Sequence, residues 1–208
     1  MKQQVHPEAT ARAQAWQLWK DAPMPMVTIL KTLDVTALRR FGRRHGLGLH
    51  LLMCWCIGCA AAGMEEFYLL PDGGGLARYD RLAVDTVVAL PGGGITTCDV
   101  PFSRSLGRFA RDYRRLTRQA QQSGRMHDLS QACMVIGTSA LAACEIDGVV
   151  NFYAGESYPN PFLFWGKCRR KGLAWQLPVS FQFHHVQMDG AQAAEFLLRL
   201  QRRIDTLR

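Results

Sequence analysis

The residues best suited to chemistry lie near the C-terminus, where His184 and His185 are followed by Asp189 and Gly190 in the form HHxxxDG. An imidazole titrates near neutral pH, so it can take the proton from a hydroxyl group that acts as a nucleophile. A carboxylate four residues after His185 is near enough along the chain to assist such a base. The alternative is one core histidine and one exposed histidine at a strand end. The complete seven-residue string favours the catalytic interpretation.

The flanking sequence predicts the elements that hold these side chains. Residues 175–183 alternate apolar and polar from Leu177 onward, which is typical of a half-buried strand. Asp189 suits a helix start, because its side chain can accept hydrogen bonds from the free amides of the first turn. We therefore expect the imidazole to lie between a strand end and a helix N-terminus. The apolar residues that share one face of the following helix are Ala194, Phe196, Leu197, Leu200, Ile204 and Leu207.

The composition predicts a single domain over residues 1–208, because a chain of this length with 48% hydrophobic residues can bury a proper core. Residues 1–8 lack the apolar core of a signal peptide, and seven cysteines without a secretory context favour a reducing compartment. We therefore expect a cytoplasmic protein. The apolar run at 49–64 is too short to span a bilayer, which takes about 20 residues, so we expect a buried helix and no membrane partner.

The remaining patterns predict an α+β fold. Glycine clusters at 71–75 and 91–94 flank a strand-like run at 82–90, and they indicate turns rather than a phosphate-binding loop. Residues 104–125 carry apolar side chains at helical spacing and many arginines, which predicts a basic amphipathic helix. The order of elements predicts a mixed β-sheet covered by helices on one face.

Cys54, Cys56 and Cys59 lie within the apolar run, and the last two form a CxxC pair. No second pair follows at the spacing of a zinc site, and cysteine packs as a small hydrophobic residue in protein cores. We therefore predict packed thiols and no metal.

The net charge of +8 and the pI of about 9.4 leave two kinds of anionic partner open. Basic patches neutralise the phosphates of nucleic acids, but the sequence contains no recognisable base-reading module. A basic surface also attracts the phosphates of CoA. A solvated basic surface with no ligand is the third interpretation, and nucleic acid is not the favoured partner.

The HHxxxDG segment resembles the active-site signature of the CoA-dependent acyltransferases. This superfamily includes chloramphenicol acetyltransferases, catalytic domains of 2-oxo acid dehydrogenase complexes and peptide-synthetase condensation domains. Condensation domains are about twice as long as this chain, and the dehydrogenase-complex enzymes usually carry Asp at the position of His184. The chain is most similar to the chloramphenicol acetyltransferase family, and the resemblance covers nearly its whole length. The matching segments are Arg12 with Trp16 and Trp19, 33–36, 51–63, 139–141, 161–167, the HHxxxDG segment and the C-terminal helix.

The resemblance implies a two-layer sandwich whose sheet is extended by neighbouring subunits in a homotrimer, with each active site between two subunits. It also implies direct acetyl transfer from acetyl-CoA to the hydroxyl group of a small acceptor, chloramphenicol or a related molecule, without an acyl-enzyme. His185 is then the general base, Ser139 supplies a hydrogen bond to the tetrahedral oxyanion, and Asp189 is a structural ion-pair partner of Arg12. Lys167 is implied to lie near a CoA phosphate. The residues implied to contact the acceptor are Trp16, Trp19, Phe152 and Phe164.

The chain departs from the family pattern where the acceptor and CoA walls are expected. Phe164 replaces the threonine of the P-x-x-T-[MW]-[GA]-K segment, and Ala142–Ala143 replaces a Pro-Trp pair. These departures leave two alternatives open. One is a relative that acylates a different hydroxyl or amine, and the other is a non-catalytic module that binds CoA or nucleic acid.

Overall fold

A computed structural model describes residues 2–151 and 158–208, and in it a layer of helices packs on a mixed β-sheet. The strands are β1 (Gln3–Val5), β2 (Met26–Asp34), β3 (Leu69–Asp72), β4 (Gly75–Arg78), β5 (Leu82–Ala89), β6 (Ile95–Pro101), β7 (Met134–Ala140), β8 (Phe162–Trp165), β9 (Arg169–Lys171) and β10 (Ala174–His184). The helices are α1 (Ala13–Trp19), α2 (Thr36–His45), α3 (Leu49–Ala61), α4 (Leu106–Ser123) and α5 (Gly190–Asp205), with short 3-10 helices at Pro7–Ala9 and Glu65–Tyr68.

The main sheet has the strand order β2-β10-β8-β7-β5-β6, and β9 pairs with the beginning of β10. Strand β7 runs parallel to both β5 and β8, whereas the other pairs are antiparallel. A separate three-stranded sheet has the order β1-β4-β3. The predicted α+β fold with a mixed sheet under a helical layer is confirmed.

Alternation along β10 separates the core from the opposite face of the sheet. Val179, Phe181 and Phe183 are buried in the main hydrophobic cluster, and the Phe181 ring lies 4.7 Å from the ring of Phe196 on α5. Successive side chains of a strand point to opposite faces, so Ser180 and Gln182 lie on the face turned away from the helices. We call this second face the outer face. It is the face on which side chains from different strands can meet a ligand or another subunit.

Several local predictions are confirmed, because each rested on a short periodic pattern. The apolar run forms α3, the arginine-rich stretch forms α4, and β5 lies where the strand-like run was expected. Gly73, Gly74, Gly93 and Gly94 all have positive φ, as the turn interpretation requires. One face assignment was wrong: in α5, Ala193 is buried and Ala194 is exposed. The apolar stripe of that helix is rotated by one residue at its first turn.

The cysteines of α3 pack in the core or against it, and Cys59 is the one that is only partly buried. Cys54 and Cys56 are buried, and burial raises the pKa of the Cys54 thiol to about 12, which keeps it protonated and unreactive at neutral pH. Among residues 2–151 and 158–208, no group of three or more His, Cys, Asp or Glu side chains is arranged to hold a metal ion. Over the same residues, no helix combines the length and the apolar composition needed to cross a membrane.

Candidate active site

The HHxxxDG segment forms the connection between β10 and α5. His184 is the last residue of the strand, and α5 begins at Gly190. A tight turn follows the strand, since the Gln187 amide donates to the His184 carbonyl at 2.8 Å. The His185 amide donates to the carbonyl of Pro25 at 2.8 Å, which ties the turn to the chain just before β2. The imidazole of His185 therefore lies at a fixed point between a strand end and a helix N-terminus.

Arg12 fastens the N-terminal arm to this turn. The residue is only 6% exposed, and its guanidinium makes two bonds to the carboxylate of Asp189, at 2.8 and 2.9 Å. The same guanidinium donates to the carbonyls of His185 at 3.0 Å and Val186 at 2.8 Å. Paired guanidinium–carboxylate bonds are among the strongest and most directional in proteins. Four hydrogen bonds from one side chain thus fix the backbone that carries His185.

The ring of His185 is held on one face and faces a negative charge at its edge. Trp19 stacks on it with ring centroids 4.2 Å apart and planes inclined by 10°. Nδ1 lies 3.3 Å from Oδ1 of Asp189, although the two atoms are not aligned as a hydrogen bond. The hydrogen bonds from Arg12 lower the pKa of Asp189, so this carboxylate is ionised at neutral pH. A carboxylate on the Nδ1 side favours the tautomer that is protonated there, which leaves Nε2 to accept a proton.

His184 has a different environment from its neighbour. It is buried on the outer face, and its Nδ1 accepts a hydrogen bond from the Val186 amide at 3.1 Å. Burial, together with the neighbouring His185, lowers the pKa of His184 to about 4. His184 is therefore neutral at physiological pH, and its role within the chain is to shape the turn.

The other expected site residues lie at the far end of the sheet. Ser139 is next to last in β7, and its Cα pairs with Phe164 of β8, which in turn pairs with Ser180 of β10. Ser180 precedes His184 by four residues, which corresponds to roughly 13 Å along a strand. Lys167 is exposed just beyond the end of β8. One chain therefore does not bring Ser139 or Lys167 together with His185.

These positions define two groups. We call Arg12, Trp19, His185 and Asp189 the His end, and Ser139, Phe164 and Lys167 the Ser end. Trp16 lies one helical turn before Trp19 on α1 and is partly buried. Phe152 lies outside the residues that the structure describes.

Sequence reasoning missed a pair of buried carboxylates near the Ser end. The register of β5 and β6 places Asp85 opposite Asp99 on the outer face. Strand β5 lies next to β7, and β6 lies on the other side of β5. Asp85 Oδ1 accepts from the Cys98 amide at 3.1 Å, and Asp99 Oδ2 accepts from the Leu129 amide at 2.7 Å. Burial, with a contribution from Asp99, raises the pKa of Asp85 to about 7. A lone aspartate inside the apolar run 82–90 was the signal for this pair.

Comparison with known proteins shows similarity to chloramphenicol acetyltransferases in sequence and in fold. No family model matches the chain. Chloramphenicol acetyltransferase 2 from Escherichia coli is 28% identical over 180 residues, which cover 84% of this chain and 84% of that protein. A solved chloramphenicol acetyltransferase structure superimposes with a TM-score of 0.84 at 17% identity, over 98% of this chain and 100% of the other.

A dihydrolipoamide acetyltransferase from Azotobacter vinelandii shares the fold with a lower TM-score of 0.68. It is 20% identical, and the match covers 97% of this chain and 88% of that one. The chloramphenicol acetyltransferases thus match in sequence over most of their length and in fold over all of it. This chain is an acyltransferase that is similar in sequence to a chloramphenicol acetyltransferase and shares the chloramphenicol acetyltransferase fold.

Proposed function

We propose that this protein transfers the acetyl group of acetyl-CoA to the hydroxyl group of a small-molecule acceptor, with His185 as the general base. The observation that carries the proposal is the geometry of the His185 ring, which is stacked on Trp19 and has an ionised carboxylate 3.3 Å from Nδ1. In this arrangement Nε2 removes the proton from the acceptor hydroxyl as its oxygen attacks the thioester carbonyl. The negative charge of Asp189 stabilises the imidazolium that forms.

The attack needs no acyl-enzyme, because a thioester is already activated and both substrates can be held together. The attack produces a tetrahedral oxyanion, and a positioned hydroxyl donor stabilises such a charge by roughly 3 kcal/mol. Collapse of this intermediate breaks the C–S bond and releases CoA, whose sulfur takes the proton held by the His185 imidazolium. We assign the role of hydroxyl donor to Ser139. The Azotobacter vinelandii dihydrolipoamide acetyltransferase supports the assignment, since a serine, a histidine and an asparagine have been studied in its mechanism. Its histidine and asparagine are four residues apart, as are His185 and Asp189.

We further propose that the active site is shared between subunits of a homotrimer. The support is the separation of the two groups within one chain: the register of β7, β8 and β10 keeps Ser139 at the opposite end of the outer face from His185. A second copy that presents its Ser end to the His end of the first completes the site. A closed ring of three copies makes this contact at each interface, and it covers the sheet edges that a monomer leaves exposed.

The substrate assignments follow from side chains near these two ends. Lys167 is exposed beyond β8 and is suited to a CoA phosphate. Trp16, Trp19 and Phe164 are partly buried aromatics that suit a flat, partly apolar acceptor. Chloramphenicol is the first acceptor to test, because it appears in the name of the similar Escherichia coli protein, chloramphenicol acetyltransferase 2. The partly buried Phe164 ring beside Ser139 favours an acceptor range that differs from that relative's, including other hydroxyls or amines.

The function is tested by thiol release. Purified protein with acetyl-CoA and chloramphenicol is expected to release free CoA in proportion to the acetylated product, with turnover in the common enzymatic range of about 1–1000 per second for the best acceptor of a panel. The panel includes hydroxyl and amine acceptors, each checked by mass spectrometry of the product. If the protein binds CoA in calorimetry but turns over no acceptor, it is a non-catalytic module and the proposal fails.

Sharing of the site is tested by mixing two inactive variants. In trimers formed by co-expressing His185→Ala and Ser139→Ala chains in equal amounts, about a quarter of the sites receive both wild-type halves, because each half is intact with a probability of one in two. Activity of the whole co-expressed preparation is therefore expected near a quarter of the wild-type value, although each variant alone is lowered about 100-fold or more. No recovery in a verified mixed trimer would place both residues in one subunit's site and contradict the shared arrangement.

A further inference from the structure

Helices α2 and α4 lie on either side of a groove with a volume of about 750 Å³ on the helical face of the protein. The apolar part of its lining includes Phe41, Leu47 and Leu106, which are partly buried against the main core, and the buried Ala110. The wall on α4 is formed by exposed arginines. A volume of this size lies in the range of ligand-binding pockets. An apolar floor beside a cationic wall suits a ligand that has both an apolar and an anionic side.

The arginines are spaced as a single helical stripe. Arg111, Arg114, Arg115 and Arg118 follow the pattern i, i+3, i+4, i+7, so they occupy one face of α4 over about 10 Å. Like charges at these spacings oppose helix formation by about 0.2–0.5 kcal/mol for each pair. Arg114 donates to the Gly46 carbonyl at 3.1 Å, and Arg115 contacts Asp112 at 3.3 Å.

The two ends of the stripe have no such neutralising contact. Among the described residues, neither Arg111 nor Arg118 is within ion-pair distance of a carboxylate. The stripe thus retains positive charge at both ends and lies directly above apolar surface.

We propose that this groove binds an acidic amphipathic helix of a protein partner. A helix laid between α2 and α4 packs against both at the usual 8–10 Å between axes, and its apolar residues contact Phe41, Leu47 and Leu106. Glutamates or aspartates on its adjacent face recur at the same three- and four-residue spacing as the arginines, so bidentate guanidinium–carboxylate pairs form along the stripe. The groove lies on the helical layer, away from the outer face, and this inference stands apart from acyl transfer.

The apolar floor distinguishes this partner from the other polyanions. A nucleic-acid backbone or an anionic lipid surface satisfies the arginines but presents phosphates, rather than apolar side chains, to the floor of the groove. A helix with one acidic and one apolar face satisfies both parts of the lining. Binding is therefore expected to depend on the apolar face of the partner as well as on its charge.

The test uses a fluorescently labelled synthetic helical peptide with glutamates at i, i+3, i+4 and i+7 beside a leucine stripe. At 150 mM salt, anisotropy is expected to show micromolar binding to the wild-type protein, weakened at least about 10-fold by Arg111→Glu with Arg118→Glu. The matched control is Arg40→Glu with Arg44→Glu, which makes the same charge change at exposed positions of α2 outside the groove lining. This control is expected to retain binding within about 2-fold.

Two further peptides separate the contribution of charge from that of the apolar face. One has glutamine in place of glutamate, and the other has serine in place of leucine. Both are expected to bind at least about 10-fold more weakly than the parent. The proposal is overturned if the control pair weakens binding as much as the groove pair does, or if the serine peptide binds as well as the parent. It is equally overturned if duplex DNA or vesicles of anionic lipid bind the protein more tightly than the peptide at the same salt concentration.

Discussion

Replacing His185 with alanine is expected to lower turnover by at least about 100-fold, with little change in the affinity for acetyl-CoA. The substitution removes the only imidazole that has an ionised carboxylate beside Nδ1 and an indole ring stacked on its face, within the residues that the structure describes. The hydroxyl nucleophile then loses its proton acceptor, while the contacts that hold the substrates remain. Turnover is measured by steady-state kinetics with an acceptor that the wild-type protein uses. The affinity for acetyl-CoA is measured by calorimetry.

His184→Ala is the matched control, because it removes an imidazole one residue away. His184 is buried, and its pKa of about 4 makes it a poor base at neutral pH. We expect this variant to lower thermal stability, since the Val186 amide loses its acceptor, and to keep most of the turnover per folded molecule. If His184→Ala loses turnover as severely as His185→Ala while remaining folded, or if His185→Ala keeps full turnover, His185 is not the base.

Removing the guanidinium of Arg12 is expected to lower the free energy of unfolding by about 3 kcal/mol and to reduce turnover as well. Arg12→Ala leaves the carbonyls of His185 and Val186 without their donor and strands the Asp189 carboxylate. Asp189→Asn is expected to cost less, about 1 kcal/mol, because the side chain of Asp189 is 47% exposed and an amide can still accept one bond. Urea unfolding measures both values.

A double-mutant cycle separates this pair from general damage. Arg12→Ala with Asp189→Asn is expected to be less destabilising than the sum of the two single changes, because the second change removes a charge that the first has stranded. Additive losses would show that the ion pair contributes nothing of its own. The pKa of Asp189 is lowered in the folded state, so its contribution is present above the ordinary carboxylate range and is lost as pH falls through the folded value. The difference between wild type and Asp189→Asn should therefore begin to shrink near pH 4, the ordinary carboxylate value, and be lost once the pH falls below the lowered pKa of Asp189.

The elements around the site were predictable because each depends on neighbours in sequence. The alternation after Leu177 predicted β10, the apolar run from residue 49 predicted α3, and the HHxxxDG string predicted the strand-to-helix turn that carries His185. Side chains two, three or four residues apart decide whether a segment suits a sheet or a helix, and these spacings are visible in the sequence. The same reasoning predicted a basic, solvent-exposed side of α4, but it could not show that α2 lies beside α4 and forms a groove with it.

The sequence by itself thus predicted the main helices and strands around the site and pointed to His185 as the proposed base. Tertiary structure alone decided which side chains meet: Trp19 stacks on His185, and Asp85 lies opposite Asp99. It also decided that Ser139 and His185 lie at opposite ends of the outer face. These relations depend on strand register and on the path of the N-terminal arm. A shift of one residue in the register of a strand moves its side chains to the other face of the sheet. Register is fixed by the packing of the whole core, so no local pattern contains it.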